Sequence, residues 1–329
     1  MKIDPGSLVA LTGALRSRVE LTYKQDIQLA ARAFGCEGRS AWFPDTGAIV
    51  NGDDATALAH DGGFLLLAAE GMRAELVAAD PWFAGYCSVL TNVNDIAATG
   101  GRPWAVVDVL FLGSADNARV LDGVAAASSA FGVPVVGGHT TRVSHGSMLA
   151  VAIVGRARRL ISSHAARPGQ LVVSAVALDG TFRGSGGNFN AATAAAPRHL
   201  RSQLAVLPEL AENDLVKAGK DVSMAGLCGT LLMLLETSRC GAQIDLARIP
   251  APRGVDPLRW LTAFPSFGFL LAVDPADLSS VRARFEAVGV ACEAVGEIGE
   301  APGKLEIFYE QERTTYWDLT REPLTGFGG

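Results

Sequence analysis

The chain has 329 residues, 49% of them hydrophobic, with 28 Lys and Arg against 34 Asp and Glu for a net charge of −6. At roughly 150 residues per domain this length predicts two domains or one large one, with ample apolar material for a core, and it excludes extensive disorder. The acidic balance argues against nucleic acid as a partner. No apolar run reaches the roughly 18 residues of a membrane span, and Met1–Ser7 lacks a signal-peptide layout. The cysteines at 36, 87, 228, 240 and 292 are widely spaced with no Cys-x-x-Cys, so reduced thiols and a cytoplasmic location are expected.

In chain order, the periodicity predicts a helix over 26–34, an apolar strand over 64–69, a helix over 82–98, a strand over 104–112, a helix over 116–131, and strands over 133–136 and 148–154. The polar, Pro/Gly-terminated stretch Arg156–Gly169 then reads as a boundary, giving domains 1–160 and 161–329. The second domain opens with a strand over 170–177 and a polar loop over 179–190. It continues with a helix near 224–238, a strand near 267–273, a helix near 278–288 and a closing strand over 304–309. The tail ending Phe327-Gly-Gly is expected to fray.

Four constellations carry chemistry. Asn51-Gly-Asp-Asp-Ala-Thr56 puts Asp53 and Asp54 side by side after a glycine, a charge pair that wants solvent or a hard cation such as Mg²⁺. Alone, these residues make a plain turn more readily than a cation site. Asn94 and Asp95 sit inside an otherwise apolar helix ending at Gly100-Gly101, where Asn and Asp are poor helix formers; they supply either oxygen ligands or a bond into a loop. In Val135-Val-Gly-Gly-His-Thr-Thr-Arg142, Gly138, Thr140, Thr141 and Arg142 suit phosphate oxygens or a hairpin turn. In Gly219-Lys-Asp-Val-Ser-Met-Ala-Gly-Leu227, Asp221 or Ser223 can cap the following helix, and the capping role outweighs an anion site. The loop residues Arg183, Asn188 and Asn190 are candidate substrate contacts, or an ordinary solvated loop.

The order G-D-D-A, V-N-D-I-A-x-x-G-x-x-P, G-G-H-T and D-V-S-x-x-G-L resembles the AIR synthase-related (PurM-like) ATP-binding superfamily. Thiamine-monophosphate kinase, selenophosphate synthetase, the hydrogenase-maturation dehydratase and formylglycinamide ribonucleotide amidotransferase belong to that group. The resemblance implies an α+β fold of two domains. The first binds ATP and pairs with a second copy into a barrel-like sheet; the second is an α/β sandwich. It implies Mg²⁺ held by Asp53, Asp54 and Asp95, with Glu70 in Leu67-Ala-Ala-Glu-Gly71 as a further ligand. Asn94, Gly138, Thr140, Thr141 and Arg142 would meet the nucleotide, and Asp221 and Ser223 the transferred phosphate. The reaction implied is attack of a small-molecule oxygen on the γ-phosphate of ATP, in a homodimer that works with a pathway partner enzyme.

Departures narrow the reaction. Met224 stands where the kinase has a carboxylate, and His139 where it has an aspartate. Cys36 lies at the end of a helix rather than in a glycine-rich segment, and the tail Leu324–Gly329 contains no cysteine, so thiol-acceptor chemistry is not expected. Two rival readings remain: a nucleotide-binding module without catalysis, and a dimeric scaffold whose acidic clusters are solvated turns.

Overall fold

Residues 54–160, joined by 195–209, and the rest of the chain form two units in a computed structural model that describes every residue except 5, 44–46, 114, 115, 185 and 329. One boundary between the units falls between Leu160 and Ile161, and residues 1–53 group with the C-terminal unit. Their longer helices are α1 (Leu8–Arg16) and α2 (Ile27–Phe34). Leu8 and Leu15 of α1 enter the same apolar core as Leu231, Leu270 and Ile307. Polar contacts fix the packing: Glu312 accepts the N–H of Gly6 at 2.6 Å, and the Arg16 guanidinium lies 4.6 Å over the Trp317 ring. These partners are about 300 residues apart in sequence, which is why no local pattern announces them.

In the inserted unit, β1 (Thr56–His60), β2 (Gly63–Met72), α3 (Pro81–Ala98), β3 (Arg102–Leu112), α4 (Asn117–Phe131), β4 (Val135–Arg142) and β5 (Met148–Ala157) build a five-stranded sheet in the order β1-β2-β5-β3-β4. All neighbours are antiparallel except β3 and β4. Asp80 caps α3 by accepting the Phe83 N–H at 3.2 Å, Pro81 fits the first turn, and Gly100 ends the helix with φ +79. α3 packs on β2, β3 and β5, and α4 packs on α3. The helix–helix approach needs Gly85 and Gly123, because a Cβ on either would overlap the backbone of the other helix. Leu66, Val106, Leu110, Val151 and Ile153 are buried in this unit, each contributing roughly 1.5–3 kcal/mol. Leu67, Val107 and Val136 instead remain exposed, and with Ala69, Ala105 and Val154 they line a shallow apolar depression on the sheet.

The other unit holds β6 (Leu171–Val176), the end of α5 (Pro197–Glu212, of which residues 197–209 group with the inserted unit), β7 (Ala218–Asp221), α6 (Gly226–Ser238), β8 (Gly241–Asp245), β9 (Gly268–Val273), α7 (Leu278–Glu286), β10 (Ala291–Gly299), β11 (Lys304–Tyr309) and β12 (Glu312–Asp318). Its seven strands run β7-β9-β6-β10-β8-β11-β12. The sequence pattern did not announce α5, β7, β8, β10 or β12. The loop over 179–190 contains short antiparallel strands, Thr181–Phe182 against Asn188–Asn190, and its Ser185 lies outside the described residues.

As far as residue 328 the tail is not frayed; residue 329 lies outside the described residues. Leu324, Thr325 and Phe327 are buried, because Glu236 of α6 accepts the backbone N–H of Leu324, Thr325 and Gly326.

Candidate active site

Asp54 lies two residues before β1, and Asp95 lies one turn before the end of α3, a helix buried along its whole length from Phe83. The insertion of α3 beneath the sheet carries Asn94 and Asp95 inward, leaving them only 2% and 7% exposed. Carboxylate oxygens of Asp54 and Asp95 lie within 4.8 Å of each other. Two negative charges at that spacing repel by roughly 3 kcal/mol at an effective dielectric of about 20. A divalent cation turns the repulsion into attraction. The donors are hard carboxylate oxygens, the set that Mg²⁺ takes, so these residues fit the ion.

Asp53 has partners of its own, and Glu70 lies on β2. The Asp53 carboxylate accepts the Ser162 hydroxyl at 2.6 Å and the Ser163 N–H at 3.1 Å. Glu70 is exposed on β2, in register with Val151.

The glycine pair expected to form an anion nest or a turn lies within β4, which runs unbroken through Gly138, Thr140, Thr141 and Arg142. The pairing with β3 accounts for this: Asp108 lies opposite Gly138, and Thr140 and Thr141 opposite Leu110 and Phe111. Gly138 is there for room, since any Cβ would collide with the Asp108 side chain. Burial pushes the Asp108 carboxyl above its usual range. The sequence reading missed this aspartate. Its signal was an acid within the apolar run Ala105–Phe111.

In the other unit, Asp221 ends β7 and is 6% exposed, beside Lys220 at 5%. Neither Asp221 nor Ser223 caps α6, whose N-cap is Ala225 with no side-chain bond. β7 extends to Asp221 because it pairs with β9, and a turn separates it from the helix. The Ser223 N–H donates instead to Thr230 Oγ1 at 2.9 Å. The buried Lys220 was a second residue missed; a lysine inside a glycine-flanked strand was the available signal. Of the loop candidates, Asn190 is occupied locally: its side chain donates to Thr193 Oγ1 at 2.6 Å and accepts the Ala192 and Thr193 N–H groups. Asn188 shares the short strand with Asn190, and Arg183 lies in the connecting loop, its N–H donating to the Asn188 carbonyl.

Residues 52–157 match the N-terminal domain, and 168–307 the C-terminal domain, of the family described as AIR synthase related protein. The chain belongs to that family. An uncharacterized protein of Synechocystis sp., sll0787, is 48% identical over 96% of this chain and 97% of its own length. The phosphoribosylformylglycinamidine synthase subunit PurL of Methanopyrus kandleri is 27% identical over 75% of this chain, which spans only 38% of that protein.

Solved structures share the fold of this AIR synthase related protein. Thermotoga maritima PurL complexed with ADP aligns with a TM-score of 0.76 at 18% identity, over 98% of this chain and 52% of that one. AaThiL complexed with AMPPCP and TMP gives 0.62 at 19% identity, over 81% and 91%. HypE from a HypE–HypF complex gives 0.66 at 17% identity, over 88% and 97%. The two-domain α+β, PurM-like fold is thus present, in a superfamily with ATP-using members. Among the described residues no helix is long and apolar enough to cross a membrane.

Proposed function

We propose that this protein is an ATP- and Mg²⁺-dependent enzyme that transfers the γ-phosphate of ATP to an oxygen of a small polar metabolite. The observation that carries the reading is the Asp54–Asp95 carboxylate pair, Asp95 set into a buried helix, in a superfamily with nucleotide-binding members. Bound Mg²⁺ would neutralise phosphate charge, the main requirement of phosphoryl transfer. Asp54 and Asp95 would hold the ion, and the rigidity of α3 would fix one side of its coordination. Asn94 would orient the nucleotide, with Thr140, Thr141 and Arg142 of β4 offering hydroxyls and a guanidinium to its phosphates. Asp221 and Ser223 are assigned to the reacting phosphate on family resemblance, Glu70 and Asp53 to supporting roles, and Arg183 and Asn188 to the acceptor. The acceptor oxygen attacks phosphorus as the bond to ADP breaks, so no protein nucleophile is required.

The exposed apolar face of the five-stranded sheet supports a homodimer through β2, β3, β4 and β5. A cytoplasmic location is part of this reading. A partner enzyme that supplies or consumes the metabolite is part of this reading. Met224, in place of a carboxylate, favours a second reading, a nucleotide-binding module that does not catalyse.

Calorimetric titration of ATP, with and without Mg²⁺, into the wild type and Asp95→Ala tests the proposal. Mg²⁺-dependent binding that vanishes in the variant is the expected result, followed by phosphate release with a metabolite panel. Binding without turnover in the presence of pathway partners selects the second reading, and no binding in the wild type removes both.

A further inference from the structure

The geometry points to Phe327 as a positioning residue for the Gly52-Asp53-Asp54 turn, seated by a strap, residues 324–328, that Glu236 clasps. The inference rests on the cation site proposed above and adds a device that nothing in the family resemblance supplies.

Glu236 lies in the last turn of α6 and is 7% exposed. A buried carboxylate is costly unless donors surround it. Here they come from one short segment: Leu324 N–H at 2.8 Å, Thr325 N–H at 2.7 Å, Thr325 Oγ1–H at 2.5 Å and Gly326 N–H at 3.2 Å. Gln28 of α2 donates to the Pro323 carbonyl at 2.9 Å, holding the strap from its other side. So fastened, the segment presents the ring of Phe327 to Gly52. A Cβ at Gly52 would lie 2.7 Å from that ring, and Gly52 has φ +101, so the contact and the backbone both require glycine. A second link runs through Cys36, whose carbonyl accepts the Asn51 N–H at 2.8 Å while its thiol reaches the Phe327 carbonyl at 3.8 Å.

The same turn of α6 holds the opposite wall. Thr237 Oγ1 donates to the Ser163 carbonyl at 2.8 Å, and Ser238 Oγ donates to it as well. Ser162 and Ser163 in turn grip the Asp53 carboxylate. Glu236, Thr237 and Ser238 therefore fix both sides of Gly52-Asp53. The paired aspartates divide the work: Asp53 is the anchor, and a carboxylate oxygen of the next residue, Asp54, lies within 4.8 Å of one of Asp95. Strap contacts reach the cation by setting where Asp54 begins.

Phe327→Ala, Phe327→Leu and Glu236→Gln test this in the full chain, with amide hydrogen exchange, Mg²⁺·ATP titration and thermal unfolding as readouts. In Phe327→Ala, exchange across residues 51–55 should accelerate about tenfold while β9 exchanges as in the wild type. Mg²⁺·ATP should bind about tenfold more weakly, the usual scale for groups that orient metal ligands. Phe327→Leu should restore most of both, and Glu236→Gln should reproduce the alanine phenotype. Unchanged exchange at 51–55, or faster exchange with unchanged Mg²⁺·ATP affinity, overturns the inference. If Glu236→Gln does not fold, the alanine–leucine pair decides. A wild type that binds no Mg²⁺·ATP removes the enzymatic reading, and the exchange rates alone then decide whether Phe327 seats the turn.

Discussion

Asp108 and Gly138 face each other across parallel strands, the carboxyl of one filling the space that the other leaves by lacking a side chain. A methyl group at position 138 has nowhere to go, because both the Asp108 side chain and its backbone carbonyl lie against it. Gly138→Ala should therefore destabilise the protein by about 1–3 kcal/mol, the cost of forcing a methyl group against Asp108. Urea unfolding that leaves the midpoint unmoved contradicts the packing described here.

Asp108 also sets a pH dependence. Burial raises its folded pKa above the ordinary value of 3.8. A carboxyl shifted in that direction favours the folded state while protonated, so its contribution is complete below the unfolded value and is lost as pH climbs through the folded one. Asp108→Asn should then match wild-type stability at about pH 3 and exceed it at about pH 7. Thermal unfolding across that range, with no widening gap between the two proteins, counts against this assignment.

The Asp54–Asp95 pair predicts a ligand-linked melting shift. Mg²⁺·ATP at about a hundred times its Kd stabilises a protein by about 2.7 kcal/mol if it binds only the folded state. The wild type should show that shift, and Asp54→Asn and Asp95→Asn should lose most of it. A shift that survives in both variants places the cation elsewhere.

Val136, 64% exposed on β4, tests the apolar sheet face. An aspartate there puts a charge where the proposed dimer would bury it, at a cost of several kcal/mol. Sedimentation should show the wild type as a dimer and Val136→Asp as a monomer at equal concentration. A wild type that sediments as a monomer leaves the face without its proposed partner.

Thiol chemistry offers an independent check on packing. Burial pushes the thiols of Cys228 and Cys292 up to about 12, and Cys87 and Cys240 are buried too, while Cys36 is half-buried. A thiolate-specific reagent should label one site per native chain and all five after denaturation. Cys36→Ser should abolish the native signal.

The elements with a strong local period were legible: the strands over 64–69 and 148–154 and the helix over 82–98 lie inside observed elements. Asn94 and Asp95 stood out because a polar pair in an apolar helix needs a reason, and the structure sets Asp95 beside Asp54. What failed to show depends on distant partners. Gly137-Gly138 looks like a turn until β3 is placed beside it; Asp221 looks like a cap until β9 draws it into a strand. The tail reads as loose because its hydrogen-bond acceptor, Glu236, lies about 90 residues earlier.

The union of residues 1–53 with the C-terminal unit has a consequence for synthesis. Glu312, which receives the Gly6 N–H, leaves the ribosome 306 residues after it, an interval of about 15–60 s at roughly 5–20 residues per second. The intervening unit can fold first, whereas α1 must wait with Leu8 and Leu15 uncovered. Nascent chains should therefore engage chaperones through this early segment. A fragment beginning at residue 161 would lack Ile3, Leu8, Leu15 and Leu21 from its own core, so supplying residues 1–53 in trans should rescue its solubility.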